Sequence, residues 1–433
     1  MSAPGSWNRL PKVAPEAVYA LTQRTAIVPD SLPRPMLAYG NGRSYGDVCL
    51  TEQGTLLLTR GLDRFIEFDA QHGVLRCEAG VTLAEILALV VPQGWFLSST
   101  PGTRLATIGG AVANDVHGKN HHAVGSFGHH VRALALWRSD GSVIECRPDD
   151  HNGWFAATLG GLGLTGLIVW VEIQLMPIQT PWMWVESQRF ANLDEFWTLN
   201  HHAQARWPYT VAWIDCLATG NAQGRGILLA GQHASSQTTL PTFTERRKRI
   251  PVDPPFSLVN RWSLRAFNAL YYRQPVTPQG ALSHYVPYFY PLDGIQDWNR
   301  IYGRQGFYQY QCVIPPGEAE TAIAELLKAV ARRGEGSFLA VLKHFGNQPS
   351  LGMLSFPRPG TTLALDFPNR GEKTLRLLQA LDAIVQEAGG ALYPGKDARM
   401  PASLFQSGYP QWEAFSAYID PHFSSRFWQR VTP

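Results

Sequence analysis

A chain of 433 residues exceeds the size at which one hydrophobic core keeps growing, so two domains are expected. Apolar residues make up 45% and charged residues 16%, enough for a large core, and a net charge of +3 without a basic stripe excludes a nucleic-acid binder. Five scattered cysteines (Cys49, Cys77, Cys146, Cys216 and Cys312) form no CxxC pair, which argues against zinc and a disulfide framework and fits a reducing compartment.

In chain order, the segment Met1–Trp7 lacks the basic and apolar regions of a signal peptide. No run reaches the length of a membrane span, and a cytoplasmic location is expected. Gly40-Asn-Gly-Arg-Ser-Tyr-Gly-Asp47 is glycine-rich, as is Pro101-Gly-Thr-Arg-Leu-Ala-Thr-Ile-Gly-Gly110, which runs toward His117-Gly-Lys-Asn-His-His122. Such backbone turns sharply and presents N–H groups to an anion such as a pyrophosphate. Neither segment is followed by an amphipathic helix, so two loops gripping one extended cofactor are expected.

Between and after them, short strands are predicted at Thr55–Thr59 and Val74–Glu78, and a helix at 82–90 capped by Thr82. Arg132–Trp137 and Ser142–Cys146 flank Asp140-Gly141, a hairpin signal. Gly161-Leu-Gly-Leu-Thr-Gly166 matches GxGxxG, but a helical stretch precedes it and the strand 167–175 follows. That is the reverse of the dinucleotide fingerprint, so it reads as a turn whose backbone faces a ligand. Pro177 and Pro181 mark a boundary. Beyond it, helices are predicted at 318–333 and 373–387 and strands at 338–342 and 362–367, which suggests a mixed sheet flanked by helices.

His117, His121, His122, His129 and His130 raise the possibility of a metal site. With only Asp115 nearby as a carboxylate, and Gly118 and Asn120 breaking any helix, a polar loop facing a cofactor is the better reading, and no metal is expected. Glu245-Arg-Arg-Lys-Arg249 precedes an amphipathic stretch, 258–272, in which Leu258, Val259, Trp262, Ala266, Ala269 and Leu270 share a face. That pattern fits a lipid interface, a mobile loop or an ordinary packed helix.

Taken together, Gly42-Arg-Ser-Tyr-Gly-Asp47, the Pro101–Gly110 run and Asp115-Val-His-Gly-Lys-Asn-His-His122 resemble the vanillyl-alcohol-oxidase type of FAD-dependent oxidoreductase. The resemblance continues through Gly160–Gly166, Pro291–Asp293, Trp298–Arg300, Phe307–Gln311, Leu354–Pro357, Asp366–Pro368 and Gly395–Arg399. It implies an α+β chain with a two-subdomain PCMH-type FAD-binding domain at 1–178, a mixed-sheet substrate domain at 179–390, and a segment at 391–433 returning to the flavin.

The residues expected to face FAD are Gly40, Asn41, Gly42, Arg43, Ser44, Tyr45, Gly46, Pro101, Gly102, Thr103, Thr107, Gly109 and Gly110. To these are added Asn114, His117, Gly118, Asn120, His121, Gly163, Gly166, Ile168 and Lys396. Lys396 is expected to supply the essential cation, with Tyr45 and His117 as proton-transfer groups. Gln309, Tyr310, Gln311 and Lys343 are expected to hold the substrate, beside Thr362 and Ala364. Many relatives carry a histidine bonded to the flavin where this chain has Tyr45, so the FAD is expected to be non-covalent. At Ala364 and Thr362, members acting on lipid-linked sugars carry cysteine and asparagine.

The implied reaction is oxidation of a secondary sugar hydroxyl to a ketone, at C2 of a polyprenyl-phosphate-linked pentose. A short-chain dehydrogenase partner would complete an epimerisation. The alternative substrate is a free alditol or aldonolactone.

Overall fold

The computed structural model describes residues 4–25, 28–236 and 239–432. Three sheets organise it. Ala17–Ala20, Thr55–Leu58 and Met36–Tyr39 form a small parallel sheet with Thr55–Leu58 in the middle. That central strand is almost wholly buried, as a continuous apolar run in a parallel sheet must be.

An antiparallel sheet follows in the order Phe65–Asp69, Val74–Glu78, Leu167–Pro177, Val131–Trp137, Val143–Cys146, with Trp95–Leu97 pairing at the far end of Leu167–Pro177. The helix Leu83–Val90 packs its Leu83, Ile86, Leu87 and Val90 into this sheet's core. Thr82 accepts from Glu85 N and the Glu85 carboxylate accepts from Thr82 N, a reciprocal cap that fixes the helix start.

The third sheet has eight strands: Ala281–His284, Trp182–Phe190, Gly226–His233, Tyr209–Ile214, Val341–Phe345, Gly360–Pro368, Phe307–Ile314 and Ala391–Leu392. Its pairs are antiparallel throughout, and parallel pairing lies instead in the small sheet and in Lys248–Arg249 against Ile295–Gln296. The helices Ala319–Arg333 and Glu372–Glu387 cover one face. Their Ile323, Leu326, Leu377 and Leu381 meet Tyr310, Cys312, Leu342, Leu363, Leu365 and Phe367 in a single core. Because strand side chains alternate, the other face of the same strands is left to line a cavity.

Ala391–Leu392 belongs to this sheet, so the sheet runs past residue 390, the expected end of the second domain. The chain then returns to the amino-terminal half: Met36 N donates to His422 O, Asp420 N to Leu164 O and Tyr45 N to Gly395 O. Among the described residues no helix is long and apolar enough to cross a membrane.

Candidate active site

A cavity of about 680 Å³ lies between the glycine-rich loops and the uncovered face of the eight-stranded sheet. Glycine at position 40 lets the two loops touch, because a Cβ there would stand 2.5 Å from Thr107 Oγ1. Asn41 Nδ2 then donates to Leu105 O (2.8 Å), locking loop to loop. Thr107 is also the N-cap of a short helix, Ile108–Ala113, accepting from Gly110 N. This helix is short and apolar throughout, so no amphipathic helix follows the loop, although the run itself ends in a helical turn. Two glycines are tolerated in that helix because Gly109 packs on Ala79, where a Cβ would be 2.9 Å from another Cβ.

The second loop is tied to the substrate half: Thr103 Oγ1 and Arg104 N both donate to the Asp293 carboxylate, at 2.8 and 2.9 Å. The Gly161–Gly166 turn clamps the helix end, with Gly160 N donating to Val112 O and Leu162 N to Ala113 O. Lining the cavity are Gly40, Asn41, Gly42, Arg43, Ser44 and Tyr45 from the first loop and Pro101, Gly102, Thr103, Thr107, Gly109 and Gly110 from the second. Asn114, His117, Gly118, Gly163, Gly166, Ile168 and Lys396 complete that half.

From the sheet come Gln309, Gln311, Lys343 and Ala364, joined by Asp366 and Trp213. His117 Nδ1 lies 2.7 Å from Lys343 Nζ, its Nε2 lies 3.1 Å from Gln311 Nε2, and Lys343 also donates to Gly118 O (2.7 Å). Lys396 Nζ stands 4.0 Å above the Tyr45 ring. Gln309 Nε2 donates to Asp366 Oδ1 (2.8 Å).

Burial sets the charges. It lowers Lys396 to about 8, an effect that the Asp366 carboxylate opposes. Asp366 is itself raised to about 7 by burial. Lys343 falls to about 7 through burial and the nearby Lys119, which burial also brings to about 7. His117 is held well below its usual range by burial and by Lys343, so its imidazole is neutral. Tyr45 is raised well above the phenol range by burial and by Asp366, so it stays protonated.

Five expected site residues do not line the cavity. Tyr310 lies between Gln309 and Gln311, so strand alternation turns it into the helix-covered core. Thr362 is on the cavity side but buried behind Gln311, whose Nε2 donates to its Oγ1 (3.2 Å). Gly46 packs against the C-terminal segment, and a Cβ there would overlap Asp397 O. Asn120 Nδ2 donates to Ser98 O (2.7 Å), and His121 packs at a tilt against Phe345 and accepts from Gly346 N (3.2 Å). His121 opens a single helical turn, His121–Val124, where none was expected.

Asp366 and Trp213 were missed. Asp366 was legible in the register, two residues beyond Ala364 on the same face. Among the described residues no group of three His, Cys, Asp or Glu side chains is placed to hold a metal.

The cradle fits a large polar cofactor. Arg43 Nε and Asn114 Oδ1 are buried against it without a hydrogen-bond partner, and such orphaned polar atoms are costly unless a ligand satisfies them. The profile of the FAD binding domain family matches residues 27–147, which contain both loops. Decaprenylphosphoryl-β-D-ribose oxidase of Mycolicibacterium smegmatis is 33% identical over 425 residues, covering 94% of this chain and 90% of that one.

The chain belongs to this family of FAD-dependent oxidoreductases.

L-gulonolactone oxidase of Mus musculus is 26% identical over 174 residues, 39% of each chain. Delta(24)-sterol reductase of Homo sapiens is 30% identical over 112 residues, 26% of this chain and 22% of that one. These matches cover only part of the chain, whereas the first relative spans nearly all of it, the eight-stranded sheet included. The protein is an FAD-dependent oxidoreductase.

Proposed function

We propose that the enzyme oxidises the C2 hydroxyl of a polyprenyl-phosphate-linked pentose to a ketone, and that a short-chain dehydrogenase reduces the product to complete an epimerisation. The observation that carries this reading is the cavity's far wall. Gln309, Gln311, Lys343 and Lys396 set amide and amino groups around a sugar-sized space, in a chain matched to the mycobacterial ribose oxidase along nearly its full length.

FAD, when bound, supplies the hydride acceptor. This chain's residues do the rest. Lys396, still largely charged near neutral pH, faces the hydroxyl oxygen and stabilises its developing negative charge. Neutral His117 takes the proton at Nε2, with Nδ1–H donating to Lys343 in its neutral amine form, once Gln311 turns from it to a sugar hydroxyl. Tyr45, kept protonated, serves as the platform beneath Lys396 rather than as a base. Its phenol replaces the histidine of covalent relatives, so acid precipitation leaves a colourless pellet and a yellow supernatant.

Anaerobic titration of the holoenzyme tests the substrate. Polyprenyl-phosphoryl ribose should bleach the flavin's blue absorbance band stoichiometrically, while free alditols and aldonolactones should not. Bleaching by an aldonolactone or alditol alone would replace this reading with a free-polyol oxidase.

A further inference from the structure

The four most exposed large apolar side chains among the described residues all belong to one stretch: Trp262 (75% exposed), Leu270 (73%), Phe256 (70%) and Val252 (67%). Leu258 adds to them at 48%. The helix Arg261–Arg273 explains why they point outward. Asn260 caps it by accepting from Trp262 N and Ser263 N, so the helix begins after Leu258 and Val259, and Val259 is buried instead. Leu264 and Asn268 then face inward, Asn268 donating to the buried Asp215 (2.6 Å), while Tyr271 packs at a tilt against Trp213 at the cavity wall.

With that face used for packing, Trp262, Ala266 and Leu270 are left as an exposed row one turn apart. The preceding loop is not loose. Leu258 N donates to Ile301 O (2.8 Å) and Asp253 pairs with Arg9 (2.6 Å), so the apolar groups are presented on a fixed support.

Charge surrounds this row with one sign. There is no Asp or Glu between Pro254 and Leu292. Arg246, Lys248, Arg261, Arg265 and Arg273 are exposed, and among the described residues they make no ion pair. Isolated exposed apolar residues need no explanation, but a fixed apolar row edged by unpaired arginines does. Tryptophan and leucine in the middle with arginines at the edge match a bilayer boundary, where rings and aliphatic chains enter the acyl region and guanidinium groups meet phosphates.

We propose that this face seats the enzyme on an anionic lipid bilayer. The helix that carries it lines the cavity with its opposite side through Tyr271, and Arg247 and Arg249 line the cavity from the adjacent basic strand. The docked orientation therefore places the cavity at the lipid surface. A polyprenyl-linked substrate, on the reading above, enters by its head group while its chain stays in the membrane.

Vesicle flotation of the holoenzyme tests the surface, with phosphatidylcholine vesicles made with and without phosphatidylglycerol. Wild type should float with the anionic vesicles and dissociate at high salt. Arg261→Gln/Arg265→Gln and Trp262→Ser/Leu270→Ser should each retain flavin yet lose at least ~10-fold in vesicle partitioning, about the effect of two cations or two buried side chains at such a surface. Wild-type recovery that is the same with and without anionic vesicles, or variants that float like wild type, would overturn the proposal. So would capture of this face by a second protein in place of lipid.

Bleaching by a water-soluble, short-chain phosphoryl pentose is followed in parallel without vesicles. Failure of flotation with bleaching intact removes the docking surface alone. Flotation without bleaching removes the substrate reading alone.

Discussion

Lys396 and Asp366 are both buried in the cavity wall, and each shifts the other toward its charged form against the pull of desolvation. Lys396 loses its charge as pH rises through about 8, and Asp366 loses its charge as pH falls through about 7. A reaction that needs the ammonium, supported by the carboxylate, therefore follows a narrow bell in kcat/KM with limbs near those values. Asp366→Asn should abolish the acid limb and move the alkaline limb downward, since the carboxylate is what holds Lys396 up. A profile unchanged by that substitution would detach Asp366 from Lys396. Lys396→Met keeps the length of the side chain but removes the charge, and it should slow flavin reduction by roughly 10²–10³-fold, the usual effect of losing one donor to a developing oxyanion. Stopped-flow reduction rates check this, with flavin content confirming that the site is intact.

At the scale of elements, the strand Phe307–Ile314 divides its residues by alternation alone. Gln309 and Gln311 face the cavity, and Tyr310 and Cys312 face the helices. Gln311→Ala should raise KM with little change in stability, whereas Tyr310→Ala empties a core position and should cost about 3 kcal/mol in denaturant unfolding with KM nearly unchanged. The opposite pattern would mean that the strand is out of register.

The same strand shows what the sequence made legible. Apolar runs and caps located most elements, from the Thr82 cap to the helices Ala319–Arg333 and Glu372–Glu387. Tyr310 was placed with its glutamine neighbours by proximity in sequence, although a period of two separates them. The strand predicted at 338–342 begins instead at Val341, because Trp213 Nε1 donates to Phe338 O and Ser337 bonds both N and O of Leu339, holding that run in a turn. These are tertiary contacts with residues more than a hundred positions away or side-chain turns that composition does not mark. The short helix Ile108–Ala113 escaped notice for a related reason: its glycines are poor helix formers, and what favours them is close packing on Ala79.

For the molecule as a whole, the C-terminal segment closes the site by bonding to the first glycine-rich loop. Arg430 donates to both Asp47 oxygens (3.0 and 2.8 Å) and to Asp397 (2.9 Å), the residue after Lys396. Asp47 and Asp397 are buried, so Arg430→Ala leaves two carboxylates without their counter-ion. The expected loss is about 3 kcal/mol of stability, together with weaker flavin retention, read by thermal unfolding and by flavin released on dilution. A variant as stable and as yellow as wild type would show that the segment is held by its apolar contacts alone. On the proposed reading, loop, lysine and sheet align for one event, removal of hydrogen from a single sugar carbon. Anaerobic single-turnover reduction with the polyprenyl-phosphoryl pentose deuterated at C2, C1 or C3 addresses it most directly. Hydride loss from C2 predicts a primary isotope effect on flavin bleaching for the C2-deuterated sugar and none for the others. An isotope effect confined to C1 or C3 would contradict it.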